Sequence, residues 1–306
     1  MKTIKIKTIN KRDFQRLNRI HKESGVSNFW IIGSTTYRKI AMDMGFYFKH
    51  NDYDMAIIGG FKKNNNILKI LKENGFFITK DRIYYVKFNK AYQIMAKKGK
   101  FLLDIVIVKN ISHLGHFNWE SIFWHFPSGL IYDPFDALDA LRKKELIPTI
   151  SAAEENPFIL ASRFAKLCAR FDVDFYKDKR LFNFAKNISE RVNKWNSKNF
   201  FHGIYAKEHS YFNTLQSILI AKKRRRFILD LQKTKLLQAM FPEINKYVPF
   251  KPGVIKKIEK AKNVKDIVLA IEFSIGEFPG MFKKIKKRFE IISDRLEEDN
   301  IKNKRI

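Results

Sequence analysis

The sequence predicts an α+β protein: a head of mixed strands and helices followed by an all-helical remainder. Three observations carry that expectation. Apolar runs of strand length, Phe29 to Ile32 and Phe101 to Val108, alternate with helically spaced segments in the first half of the chain. Glycines close these segments, at Gly25, Gly33, Gly59, Gly75 and Gly99. From Pro157 onward the apolar residues keep helical spacing throughout.

Taken in order, Arg12 to Lys22 carries Phe14, Leu17 and Ile20 on one helical face, which Gly25 would stop. The strand Phe29 to Ile32 ends in Gly33-Ser34. A helically spaced segment follows, then a second apolar run that carries Asp52 and Asp54 and runs out at Gly59-Gly60. Ile67 to Glu73 reads as a helix ended by Gly75. Ile83 to Phe88 and Phe101 to Val108 read as strands joined by a lysine-rich connection that ends at Gly99. An aromatic-rich segment, Phe117 to Trp124 and Leu130 to Pro134, leads into IYDPFDALDALRKKELIPT, and the head is expected to end near Ser151. Helices are expected at Pro157 to Arg170, Leu181 to Lys194, Tyr211 to Leu231, Lys235 to Phe241, Lys256 to Ile275 and Met281 to Glu298, before a polar, fraying tail.

Composition narrows the function. The 306 residues carry a net charge of +29, spread evenly: residues 1–150 hold 26 basic and 13 acidic side chains, residues 151–306 hold 34 and 18. A chain basic throughout its length meets a polyanion, and nucleic acid is the first candidate. A lysine bias from an AT-rich genome accounts for part of the count but does not remove acids. No apolar run approaches the length of a membrane span, so no membrane partner is expected. The basic start alternates like a strand and lacks a signal core. Asp13 and Glu23 count against a mitochondrial presequence, which leaves a cytoplasmic location expected and a mitochondrial one open. The single cysteine, Cys168, excludes an internal disulfide and reads as a small buried side chain. His113 and His116 have ligand-like spacing but no obvious partners, and are assigned no metal.

The chemistry-bearing residues are three acids. Asp52 and Asp54, two apart on a strand, would point to the same face of a sheet, and Asp104 lies within another strand-like run. Carboxylates on adjacent strands suit hard divalent cations, which take oxygen ligands. Gly33-Ser34 just upstream can offer backbone N–H groups to phosphate oxygens with no side chain in the way. An Asp-x-Asp pair alone is often a solvated strand end. The order strand, Gly-Ser, helix, Asp-x-Asp strand and later acid raises it to the parts of a two-metal nucleotidyl-transfer site.

That order resembles the nucleotidyltransferase superfamily, with a longer spacer than usual between Ser34 and Asp52. Later segments are similar to one branch, the bacterial-type tRNA nucleotidyltransferases (CCA-adding enzymes) and poly(A) polymerases. GLIYDPFDALDALRKKELIPT resembles the segment that ends their head. EENPFILASRFAKLCARFDVDF resembles their first neck helix, and ISERVNKW and LLQAMFPEI resemble two further neck signatures. The likeness runs from about Phe14 to about Tyr247, in family order.

The resemblance implies a catalytic head over 1–150, a helical neck over 151–250 that binds nucleotide and RNA, and a basic, RNA-binding helical body or tail over 251–306. It implies that Asp52, Asp54 and Asp104 are catalytic and hold Mg²⁺. Nucleotide binding falls to Gly33, Ser34, Arg38, Lys109, Glu155 and Arg163. Lys109 stands where the family often has arginine. The family's Arg-Asp-Phe-Thr segment appears here as Gly115-His116-Phe117-Asn118, and Ile159 replaces the base-reading arginine, leaving Arg163 as the nearest candidate for that task. Lys222, Lys223, Arg224, Arg225 and Arg226, and Lys283, Lys284 and Lys287, are candidate RNA contacts, although a basic run is as often a solvated face. The expected activity is template-independent addition of nucleotides to an RNA 3′ end from ATP, with CTP as the second candidate. tRNA is the favoured acceptor. A poly(A) polymerase is the alternative, and a non-catalytic RNA- or ribosome-binding protein on the same fold is the rival of a different class.

Overall fold

The computed structural model describes residues 9, 11–46, 53–59, 64–86, 89–111, 114–149, 152, 155–198 and 204–275. The chain divides into two compact units, Met1–Glu155 and Asn156–Ile306.

The first unit is built on a mixed sheet. Its strands are β1 (Phe29–Ile31), β2 (Tyr53–Ile58), β3 (Phe77–Val86), β4 (Asn89–Lys98), β5 (Phe101–Val108), β6 (Phe123–Phe126) and β7 (Leu130–Tyr132). They lie in the order β3-β4-β5-β2-β1-β6-β7. Only β2 and β5 run parallel; the other neighbours are antiparallel. The helices are α1 (Lys11–Ser24), α2 (Ser34–Asp43), α3 (Asn64–Glu73) and α4 (Ala137–Lys143).

Alternation sets the faces. Tyr53, Met55 and Ile57 of β2 and Leu103, Ile105 and Ile107 of β5 are buried in one core with Leu17 and Ile20 of α1 and Ile67, Ile70 and Leu71 of α3. A strand has period two, so Asp54 and Asp104 point to the opposite face. On that face Ala91, Val106 and Val108 form a small apolar cluster, with Leu114 against them. The Tyr53 hydroxyl donates to Asp13 Oδ2 at 2.8 Å and ties the start of β2 to α1. Burial, reinforced by the Asp13 carboxylate, pushes that phenol's pKa up. As the sequence predicts, Gly25 ends α1, with φ +62, where a side chain would be strained.

The hairpin of the first unit differs from expectation. The lysine-rich stretch before Gly99 is β4, the second arm of a hairpin whose strands are ten residues each. Its side chains alternate: Ile94 and Ala96 enter the main core and Ala91 enters the smaller cluster. Lysines at 90, 97 and 98 mask that pattern in the sequence.

The segment Gly115 to Asn118 acts as a clamp. Asn118 donates to the Glu145 carbonyl and accepts from the Ile147 N–H, both at 2.9 Å, and Thr149 bonds the carbonyls of Gly115 and His116. In the Asp-Pro-Phe segment, Asp133 accepts from the Ala137 and Leu138 N–H groups at the start of α4.

The second unit is helical: α5 (Pro157–Phe171), α6 (Lys179–Lys198), α7 (Ile204–Ile220), α8 (Arg224–Lys233), α9 (Leu236–Met240), α10 (Pro252–Glu259) and α11 (Val264–Ile275). Asn156 caps α5 by accepting from the Phe158 N–H, and Pro157 takes its first position. Cys168 is buried, and burial pushes its thiol pKa up. Two expected long helices are each two. Tyr211 to Leu231 breaks at 221–223, and Lys256 to Ile275 breaks at 260–263. The break between α7 and α8 is closed by Arg224, whose guanidinium donates to the carbonyls of Leu219, Glu259 and Ala261. These are orphan carbonyls at and just beyond the C-terminal ends of α7 and α10. Met281 to Glu298 lies outside the described residues.

Arg226 sits among three acids. It reaches Asp172 Oδ1 at 2.7 Å, Asp174 Oδ2 at 3.7 Å and Asp230 Oδ2 at 4.0 Å. Asp230 is 3% exposed, and its Oδ2 makes no hydrogen bond among the described residues. Burial, with the neighbouring Asp174 charge, pushes its pKa up to about 6. A raised carboxyl pKa means that the folded state binds a proton the unfolded state has released. Stability is therefore lost as pH rises from the unfolded value toward about 6, and the deficit is complete above it. Asp230→Asn should accordingly raise the melting temperature above about pH 6.5, by the equivalent of about 1–3 kcal/mol, and the gain should vanish near pH 4. Thermal unfolding of the two proteins across that range checks both the sign and the window.

Candidate functional site

The site forms where β1, α2, β2 and β5 meet. In the parallel register of β2 and β5, Asp54 stands directly beside Asp104. Adjacent strands lie about 4.8 Å apart, so the two carboxylates share one level of one face. The antiparallel β1 brings its C-terminal end to the same place: Ile31 faces Met55, and the Ile32 N–H donates to the Asp54 carbonyl at 2.9 Å. The chain then turns at Gly33 into α2. Thr36 secures the turn, its hydroxyl donating to the Gly33 carbonyl at 2.7 Å.

Gly33 is required twice over. Its φ is +66, and a Cβ there would lie 2.5 Å from Asp54 Oδ2. The backbone at the N-terminus of α2 thus passes against a carboxylate, in space that any side chain would fill. Ser34, the first residue of α2, is half-buried beside it.

Asp104 is held by a residue that the sequence pattern does not single out. Gln93 of β4 donates through Nε2 to both carboxylate oxygens, at 2.9 and 2.8 Å. Reading 89–98 as a connection hides it. The alternation of Ala91, Gln93 and Met95 against Tyr92, Ile94 and Ala96 is the signal that finds it.

The other candidates distribute as follows. Asp52 lies outside the described residues, as do Lys283, Lys284 and Lys287. Arg38 is half-buried in α2, close enough for its charge to act on the Tyr53 hydroxyl. Lys109 stands apart from the acids along the strand. It follows the far end of β5 and, at about 3.3 Å per residue, stands roughly 16 Å along the strand from Asp104. The strand direction that brings Gly33 to the acids carries Lys109 away from them. Glu155 places its Oε2 2.6 Å from His116 Nε2, where Glu120 Oε2 is 3.7 Å from His116 Nδ1. The approach is close but off the ring N–H axis, since neither ring nitrogen makes an aligned hydrogen bond. Arg163 is exposed on α5, and Ile159 is half-buried.

The basic run divides. Arg224 and Arg226 bond carbonyls and carboxylates within the helical unit. Lys222, Lys223 and Arg225 are exposed, and they line a groove of about 750 Å³ with Leu229 and Glu259. Lys223 also lies 3.6 Å from Asp172.

Among the described residues no group of three His, Cys, Asp or Glu side chains suited to a metal comes together. Two carboxylates do, with oxygen donors only. Mg²⁺ is commonly held by one or two carboxylates, with phosphate and water oxygens completing its shell. The residues present fit that ion.

No protein-family model matches the chain, and a search of curated proteins finds no match. Among solved structures it is similar to one described as the crystal structure of a putative nucleotidyltransferase from H. pylori. The identity is 12%, the match covers 91% of this chain and 98% of that one, and the TM-score is 0.22. A likeness that slight carries no weight for fold or site. No described helix is long and apolar enough to cross a membrane.

Gly33→Ala should both destabilise the protein, by about 1–2 kcal/mol from the positive φ alone, and displace the Asp54 carboxylate. Ser34→Ala adds no atom toward Asp54 and should leave the melting temperature within about 1 °C of the parent. Differential scanning calorimetry of the two variants separates close backbone approach from ordinary loop tolerance.

Proposed function

We propose that this protein is a template-independent RNA nucleotidyltransferase that adds nucleotides from ATP, with CTP as a second substrate, to the 3′ end of RNA, tRNA being the favoured acceptor. The observation that carries the reading is the Asp54–Asp104 pair in one parallel register, with the Gly33 backbone seated against it at the start of a helix. Asp54 and Asp104, with Asp52, would hold Mg²⁺, which when bound neutralises triphosphate charge and acidifies the RNA 3′-hydroxyl. Gly33 and Ser34 would present backbone N–H groups to phosphate oxygens, at a helix end that favours anions. The bare backbone at Gly33 lets a triphosphate approach the carboxylates. Arg163 would face the base, and Lys222, Lys223 and Arg225 would meet the RNA backbone.

The test is incubation with Mg²⁺, each NTP in turn and tRNA lacking its terminal CCA, followed by sequencing of the 3′ ends. Addition of C, C and A supports the first reading, adenylate runs support a poly(A) polymerase, and RNA binding without addition supports a non-catalytic protein. Asp54→Asn and Asp104→Asn should each lower incorporation by at least about a hundredfold with no loss of melting temperature, because metal ligation contributes several kcal/mol to the transition state. Asp52→Ala belongs in the same series.

RNA affinity should fall steeply with salt, since each neutralised phosphate releases counterions. Reversing the charge at Lys222, Lys223 and Arg225 together should shrink the slope of log affinity against log salt by about 2 to 3. Filter binding from low to moderate salt measures it. An unchanged slope would remove the α7–α8 turn from the RNA interface.

A further inference from the structure

Gln93 does more than support a carboxylate. Its Nε2 is equidistant, within 0.1 Å, from the two oxygens of Asp104. A carboxylate offers about four lone-pair directions, two on each oxygen. A donor equidistant from both oxygens takes the position between them, which is the position a cation must take to be chelated by both at once. A metal could therefore meet Asp104 only from its outward side, one oxygen at a time. The arrangement is built into the sheet. Gln93 faces Val106 across β4 and β5, two pairs along from the Met95–Asp104 pair and on the same face, and the strands anchor it through Ala91 and Ile94 in the two cores.

We propose that Gln93 is a specificity-determining residue for the cation at this site: by occupying the two-oxygen position of Asp104 it selects Mg²⁺ over Ca²⁺. Mg²⁺ is small and octahedral and takes one oxygen from each carboxylate. Ca²⁺ takes six to eight oxygens and commonly gains them by chelation to both oxygens of an acid. Denying chelation removes a ligand that Ca²⁺ uses and Mg²⁺ does not. Gln93 touches neither nucleotide nor RNA in this account and acts through Asp104. The inference rests on the reading of Asp54 and Asp104 as a cation site.

The experiment uses the full chain with Mn²⁺ as a spin probe, displaced in separate titrations by Mg²⁺ and by Ca²⁺. Gln93→Met is nearly isosteric and removes the donor. Gln93→Asn keeps the amide but is shorter by one methylene, so it no longer spans the gap. Both variants should bind Ca²⁺ several-fold more tightly and Mg²⁺ no more tightly, lowering the Mg²⁺ preference about tenfold. Ca²⁺ should inhibit nucleotide addition by either variant at correspondingly lower concentration. An unchanged ratio in whichever variant retains the parent circular dichroism spectrum overturns the role of Gln93 while leaving the proposed activity standing. Wild-type protein that neither binds Mn²⁺ nor extends RNA overturns both.

Discussion

The parallel register between β2 and β5 is the constraint on which the site depends. It sets Asp54 beside Asp104, and two carboxylates about 5 Å apart repel by about 3 kcal/mol at an effective dielectric near 20. The chain holds them there through the other face of the same strands. Tyr53, Met55 and Ile57, with Leu103, Ile105 and Ile107, are all buried against α1 and α3. A slip of one residue in either strand would turn three of these side chains out of the core and one acid into it. The apolar face therefore fixes the acidic one, and the energy that opposes slippage comes from residues that take no part in the chemistry.

Charge is used in two ways in the helical unit. Of five consecutive cations, Lys222 to Arg226, the two with the planar guanidinium and an inward position are consumed by the fold. Arg224 serves three carbonyls where helices end, and Arg226 serves three carboxylates. Lys222, Lys223 and Arg225 remain at the surface beside the groove. The count of 60 basic side chains thus overstates the cations available to a polyanion, because some are held by carbonyls and carboxylates within the fold.

Much of this was legible in the sequence. The helix ended by Gly25, the strand before Gly33-Ser34, the run around Asp104 and the start of α5 at Pro157 all carry strong local signals, and the structure has each of them. What could not be read has a physical cause in each case. β4 is a strand whose lysines break the apolar pattern, so its period-two alternation looks like a loop. Gln93 became visible only with the strand. The breaks in the two long helices follow from turns whose carbonyls are satisfied by a distant arginine, a contact that no local pattern announces. Lys109 and Asp104 are close in order along the chain, but order does not specify which end of a strand faces the acids. Neighbouring residues can be separated by the whole length of a strand.

The cap at Arg224 has a consequence for which substitutions the basic run can absorb. A lysine offers one compact ammonium on a flexible stem, and it cannot reproduce the fork of N–H groups that meets the carbonyls of Leu219, Glu259 and Ala261 together. The same exchange at Arg225, which is exposed, alters little. Within five residues of uniform charge, arginine and lysine are interchangeable at some places and not at others. Among descendants of this chain, Arg224 should drift like a core residue while Arg225 drifts like a surface one, though each is charged and they are adjacent.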